Sequence, residues 1–414
     1  MAKENSELRA IAPTIALLAV AVVINYIDRG NLALAAPLLK AEWGFSASQL
    51  GILFSAFFWS YTLLQFVVGW FVDRFSVNTI MSLGFLVWSL STAVTGLATG
   101  FASLLVLRIV LGLGESVMFP ASSKICAQHL PEHARGFANG IIMAAIYWGS
   151  AVGTLGGGVL IAKYGWRSTF IAIGLVGLLW LPAWARWNPG AAVVHEHVVS
   201  VGVPSFATIL KKRSFWGAAV GHFADNYLLY FLVSWLPYYL VQEQHLSMQS
   251  MVGTAGLLYV MDSLSCLATG WITDRCIKGG QSPTLARKAA MVVGAIVSVL
   301  SLSSCAFATE RTYLWCLAAF AIGVGALASG NFVFGQTLAG PAAAGRWAGM
   351  QNGFANLAGI VGPAFTGFLV DKTGHFGAAF GAAALVMIVG GLSWCFGVQK
   401  LEPIQWPEGE KSYV

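Results

Sequence analysis

The sequence predicts an all-α membrane protein of twelve transmembrane helices arranged as two pseudo-symmetric six-helix bundles. Three features of the chain say so. Apolar residues fill 57% of its 414 positions and charged residues 10%, with a mean hydropathy of +0.73, against roughly 45–50% apolar and 25% charged in soluble domains. Apolar stretches of about 20 residues recur from Ile11 to Val398, each long enough to cross a hydrocarbon core of roughly 30 Å at about 1.5 Å per residue. A six-residue motif also returns 201 residues after its first appearance.

The stretches read as helices because lipid offers no partners to backbone amides. A membrane β-barrel needs short segments of alternating polarity, whereas Ile80 to Leu97 and Phe170 to Leu181 are apolar at successive positions. The first stretch has Lys3 and Arg9 ahead of it, as a signal peptide would. Asp28 and Arg29 interrupt it, which a cleavable apolar region does not tolerate, so it is retained as a span. Twelve spans follow, at 11–37, 47–72, 79–98, 101–127, 136–161, 166–186, 215–240, 250–273, 287–308, 312–338, 346–370 and 376–398. With both termini cytoplasmic, that side holds sixteen Lys or Arg and the other holds five, namely Lys40, Lys163, Arg167, Arg311 and Lys372. That asymmetry sets the orientation.

The longest hydrophilic interval divides the chain into an amino-terminal bundle (1–186), a cytoplasmic linker (187–213) and a carboxyl-terminal bundle with a short tail (214–414). His195 and His197 in the linker, without further ligands, read as solvated loop and not as a metal site. The basic group Lys211, Lys212 and Arg213 suits anionic lipid heads. The six cysteines include no CxxC pair and sit mostly in apolar runs, as small core residues. The pI near 9.0 follows from topology and implies no nucleic acid.

The division is supported by an internal repeat. Gly69-Trp70-Phe71-Val72-Asp73-Arg74 closes the second span and Gly270-Trp271-Ile272-Thr273-Asp274-Arg275 closes the eighth; Gly153, Gly158 and Gly165 match Gly362, Gly367 and Gly374 at a spacing of 209. Two parallel six-helix halves imply a site at their interface near mid-membrane, reached alternately from each side. The repeated GxxxDR resembles the signature loop of the major facilitator superfamily, over essentially the whole chain. Asp73, Arg74, Asp274 and Arg275 are expected there as gating or structural residues, each Asp capping a neighbouring helix. Asn25-Tyr26-Ile27-Asp28-Arg29, then Arg108 to Glu115 with Phe119-Pro120, then Asn226-Tyr227 with Trp235-Leu236-Pro237, together resemble the anion:cation symporter family. That family includes bacterial galactonate and hexuronate carriers and sialin-like proteins, and the resemblance implies transport of an organic anion with protons.

Asp28, Arg29, Arg108 and Glu115 are charges inside spans, each costing roughly 2.5–3.5 kcal/mol at a span centre. Asp28 and Arg29 point about 100° apart on their helix, so one faces helix four and the other the cavity. A guanidinium fork suits a carboxylate through two parallel charge-assisted bonds, so Arg29 is expected to contact the cargo, a role the resemblance also implies. Arg108 is expected to brace Asp28 or Glu115, and those two carboxyls to carry protons. Tyr61, Tyr147, Asn352 and Asn356 fall at depths where they reach cargo hydroxyls; Tyr61 also matches a family site position, and Asn226 lies where the family places polar contacts. Asp225 and Asp262 have no Lys or Arg in their own spans. They stand as silent protonated acids, as contacts to cargo hydroxyls, or as partners of a cationic group on an amino-acid-like cargo.

No nucleophile, metal set or GxxxxGK[ST] phosphate cradle appears, which disfavours an enzyme or an ATP-driven pump, and no cofactor is expected. A receptor with this fold should carry a signalling domain. The expectation is therefore a monomeric carrier in a bacterial inner membrane, importing a small organic acid such as a sugar acid with protons, with lipid as its only other partner.

Overall fold

The computed structural model describes residues 2–45, 47–189, 204–305 and 312–406; Arg311 and the linker residues Glu196, His195 and His197 lie outside these. The chain runs through fifteen α-helices: α1 (Ala2–Trp43), α2 (Ala47–Arg74), α3 (Val77–Thr95), α4 (Phe101–Glu115), α5 (Met118–His129), α6 (Glu132–Val152), α7 (Gly158–Gly177), α8 (Trp180–Trp187), α9 (Phe206–Leu210), α10 (Arg213–Gln242), α11 (Met248–Lys278), α12 (Pro283–Cys305), α13 (Tyr313–Ala328), α14 (Val333–Thr373) and α15 (Gly377–Leu392). Two π-helical turns, Gly153–Gly157 and Ser393–Gly397, complete the run.

Nine helical stretches of the described residues are long and apolar enough to cross a membrane. Two are of double length, Glu132–Trp187 and Tyr313–Val370. Each is broken by a glycine with a left-handed backbone, Gly165 at φ 79° and Gly340 at φ 67°, so each crosses twice. With α10, whose thirty residues carry only Arg213 and Asp225 among Lys, Arg, Asp and Glu, they supply the twelve spans.

Prolines account for two interruptions that uniform apolar runs conceal. The fourth span divides into α4 and α5 around Ser116 and Val117, because Pro120 has no N–H for the Ser116 carbonyl four residues earlier; the sixth divides at Leu178 and Leu179, with Pro182 in the same relation to Leu178. The tenth span is interrupted at residues 329–332, and Asn331 lies in that gap.

The helices form two compact units. The first contains Met1–Leu130, Ala145–Val201 and Pro341–Gly353. There α1 rests on glycines four apart: a Cβ at Gly149, Gly153 or Gly157 would come within 3.0 Å of Val23, Ile27 or Asn31. Gly156 and Gly158 face open space, so the packing stripe is the four-residue series and not the consecutive triplet. At one end of the unit, Thr14 and the Trp180 indole donate to the carbonyls of Trp187 and Leu17, while Trp180 stacks on Phe85 with centroids 4.2 Å apart. At the other end, Glu42 accepts from Trp166 and pairs with Arg167 at 2.7 Å.

The second unit contains Pro131–Ala144, Gly202–Gly340 and Phe354–Val414. Its helices α10, α11, α12, α13 and α15 pack through small residues and aromatic edges, such as Phe231 on Phe380 and Tyr239 on Phe376. After α15 the chain returns along this unit. The Ile404 amide donates to the Leu338 carbonyl and the Trp406 indole to the Ala339 carbonyl, each at 2.9 Å. These are carbonyls of a helical turn interrupted at Gly340, so the tail supplies donors that the helix itself no longer provides. Trp406 is only 8% exposed.

Replacing Trp406 with Ala should therefore lower the melting temperature of the purified protein, by the loss of about 2–4 kcal/mol of packing and hydrogen bonding. Trp406→Phe, which keeps the ring and loses the N–H, should fall between the two in a detergent melting series.

Candidate functional site in the membrane-spanning helices

The first unit draws all four intramembrane charges into one cluster. Arg29 of α1 donates from Nε to Oε2 of Glu115 at 2.7 Å, and the glutamate side chain is fully buried. The guanidinium carbon lies 4.7 Å from the Tyr26 ring centroid and 4.6 Å from those of Phe57 and Tyr61. Three ring faces around a desolvated guanidinium contribute on the order of 2 kcal/mol each at most, and they fix its plane. Glu115 is the last residue of α4, immediately before the Pro120-induced break, so its position is set by where the helix has to stop.

Asp28, 1% exposed, turns toward Thr92 of α3 and lies within electrostatic reach of Glu115 and Arg108. Its Oδ1 has no donor among the described residues. Arg108 is 6% exposed, 5.3 Å from the Phe57 ring, and within electrostatic reach of Glu115, Arg29 and Asp28. Arg108 was expected to brace Asp28 or Glu115, both of which it can reach electrostatically, while the direct ion pair to Glu115 is made by Arg29. Arg108 stands two turns from Glu115 along α4, about 10 Å, whereas Arg29 comes level with it on the neighbouring helix.

Of the polar residues named for cargo contact, Tyr61 and Asn352 join this cluster. Tyr61 is 1% exposed, lies under Arg29 and accepts from the Asn352 amide at 3.3 Å. Tyr147 is buried in α6, in the same unit. Asn226 and Asn356 belong to the second unit, where Asn356 accepts from the Tyr230 hydroxyl at 2.7 Å. Asn25, fully buried one turn before Arg29 and beside Glu115, is a member that sequence reasoning missed. Its place in the Asn25-Tyr26-Ile27-Asp28-Arg29 run was the available clue.

The repeated aspartates make matching contacts. Asp73 accepts the Gly345 amide at Oδ1, 3.0 Å, and the Arg346 amide at Oδ2, 2.6 Å. Asp274 accepts the Gly136 amide at Oδ1, 3.1 Å, and the Phe137 amide at Oδ2, 2.6 Å. The two carboxylates are 201 residues apart and their donors 209 apart, the two spacings of the sequence repeat. Close backbone approach is part of the arrangement: a Cβ at Gly69 would lie 2.8 Å from the Gly345 carbonyl oxygen, and one at Gly270 2.4 Å from that of Gly136.

The cations that balance these carboxylates are not the arginines of the motif. Arg74 and Arg275 are exposed. Lys124 lies 3.5 Å from Asp73 and donates to the carbonyls of Val72 and Asp73. Arg287 bonds Asp274 at 2.6 Å, Thr273 at 2.7 Å and the Glu132 carbonyl at 2.9 Å. Beside it, Asn139 and Gln336 exchange reciprocal amide bonds of 3.0 and 2.9 Å. From sequence, Lys124 and Arg287 are merely span-end charges on the cytoplasmic side.

The sequence matches the family described as Major Facilitator Superfamily over residues 18–345. It is 30% identical over 398 residues to a hexuronate transporter of Bacillus subtilis (strain 168), with 92% of each chain covered. It is 28% identical over 408 residues to a D-galactonate transporter of Escherichia coli O6:H1, covering 92% of this chain and 94% of that one. In fold it is similar to the transporter FucP crystallised in an outward conformation, with a TM-score of 0.75 at 15% identity over 94% of this chain and all of that one.

The aspartate geometry makes a stability prediction. Asp73→Asn or Asp274→Asn leaves one acceptor oxygen for two amides and should cost about 1–3 kcal/mol. Each aspartate serves a different unit, so the losses in a double variant should add. Equilibrium or thermal unfolding in detergent checks both statements.

Proposed function

This chain belongs to the major facilitator superfamily, and we propose that it is a symporter carrying a small organic anion, such as a sugar acid or another monocarboxylate, together with protons. It is a multi-pass membrane transporter. The observation that carries the finer reading is the Arg29–Glu115 ion pair inside its ring of aromatic side chains.

The quartet is formally neutral when both carboxyls are ionised. A proton taken up by Glu115 removes the charge that holds Arg29 and leaves a net positive cluster, which a carboxylate restores to neutrality by engaging the guanidinium fork. Proton and anion thus favour each other's binding, and this reciprocity is the thermodynamic content of symport. Arg108 keeps the cluster cationic while Glu115 is neutral. Asp28 supplies a second exchangeable carboxyl, and Tyr61 with Asn352 presents polar groups beside Arg29 for cargo hydroxyls; Tyr147, Asn226 and Asn356 belong to the same reading. The hexuronate and D-galactonate transporters among its relatives support a sugar-acid cargo. The distribution of Lys and Arg supports cytoplasmic termini, and the short loops between spans support a bacterial inner membrane, where the chain is proposed to act as a monomer.

Glu115→Gln, a stand-in for the protonated state, should bind anion at least as well as the parent and retain counterflow in proteoliposomes. Accumulation driven by a pH difference should drop more than tenfold. Arg29→Lys keeps the charge and loses the planar fork, so it should raise the half-saturation concentration at least tenfold. A melting-temperature screen of the purified protein against D-galactonate, hexuronates and other organic acids identifies the cargo as the compound that raises the midpoint. An Arg29→Lys variant that transports normally would sink the assignment of the anion to Arg29.

A further inference from the structure

The second unit buries a carboxylate that this mechanism does not use. Asp225 lies near the middle of α10 and is 3% exposed. Asn331, fully buried in the interruption between α13 and α14, donates its side-chain amide to Asp225 Oδ2. Oδ1 has no donor among the described residues, and no Lys or Arg among them lies within its electrostatic reach.

The elements packed around α10 do not supply a balancing cation. Along α10 itself His222 stands one turn earlier, 1% exposed, with its ring edge to Phe332 at 5.1 Å. Helix α11 brings Asp262 and Cys266, the thiol being within electrostatic reach of both aspartates. Helices α9 and α15 carry no ionisable side chain. Cys395 is the ionisable residue of the turn Ser393–Gly397, and α13 carries only Tyr313 and Cys316, near its start. Helix α14 meets Tyr230 and Tyr227 of α10 at Gly359 and Gly362, and its Arg346 and Lys372 stand ten or more residues from those contacts.

An ionised carboxylate so placed costs several kcal/mol, and one amide donor offsets only part of that. A cargo ammonium would need open carboxylate surface, yet Asp225 and Asp262 are 3% and 1% exposed. A metal ion needs several oxygen ligands, whereas the group that contacts Asp225 is an N–H donor. A proton requires neither space nor a ligand shell.

We propose that Asp225 is a protonation site of the second unit, held by Asn331, which binds and releases a proton independently of Glu115 and Asp28. The site stands on its own geometry; its use in transport rests on the symport reading above.

Infrared difference spectra of the purified full-length chain between alkaline and acid pH test the site without any cargo. The parent should show carboxylic C=O stretching components from several groups. Asp225→Asn, isosteric and still an acceptor for Asn331, should remove one carboxyl's worth of absorbance that Glu115→Gln leaves in place. Asn331→Ala, with Asp225 intact, should move that component to higher frequency by removing its donor, and keeps the test valid if the Asp225 variant does not fold. Spectra of both variants that superimpose on the parent overturn the proposal. If the Asp225 component is present while Glu115→Gln still accumulates cargo, the symport reading fails and this site remains.

Discussion

A charge inside a lipid-embedded bundle has to be neutralised within a few ångströms, and the polar architecture of this protein is organised around that requirement. Two acids and two arginines converge in the first unit, with Arg29 and Glu115 in direct contact. The same requirement seats Lys124 against Asp73 and Arg287 against Asp274 near the ends of their spans. Where no such cation is at hand, at Asp225, the remaining neutralising agent is a proton. Helix breaks place the groups involved: α4 ends at Glu115 because Pro120 withholds one amide, and Asn331 reaches Asp225 from a gap in the tenth span.

The aromatic rings around Arg29 add a second layer to this economy of charge. An ion pair alone would hold the guanidinium only while Glu115 is ionised. Tyr26, Phe57 and Tyr61 attract the cation whether or not the carboxyl carries a proton. Under the symport proposed above, Arg29 would keep its orientation when its partner lost its charge, and an incoming carboxylate would meet a fork already set in place. That lowers the ordering cost of each binding event.

Much of this was legible in the sequence. Span positions followed from apolar length, and the charged quartet from four ionisable residues in two spans. The capping role of Asp73 and Asp274 followed from a motif written twice, and the spacings of 201 and 209 reappear in its hydrogen bonds. What sequence did not reveal is azimuth, the direction each residue faces about its helix axis relative to a neighbour far along the chain. That is why the direct contact between Arg29 and Glu115 could not be read from the sequence, why Lys124 and Arg287 read as ordinary span-end charges, and why Asn331 gave no indication of serving Asp225. The glycines packed against α1 show the same limit: Gly156, Gly157 and Gly158 are consecutive in sequence, but contact recurs every four residues, at Gly149, Gly153 and Gly157.

The paired aspartate contacts have a bearing on how such a chain tolerates change. Beside its cation, each carboxylate accepts two main-chain amides, and the residues presenting them are Gly345 and Arg346 in one copy and Gly136 and Phe137 in the other. A guanidinium and a phenyl ring thus occupy equivalent places without disturbing the bond, since every amino acid but one carries the required hydrogen. Drift in the identity of positions 137 and 346 is chemically permitted, and proline alone is barred from them.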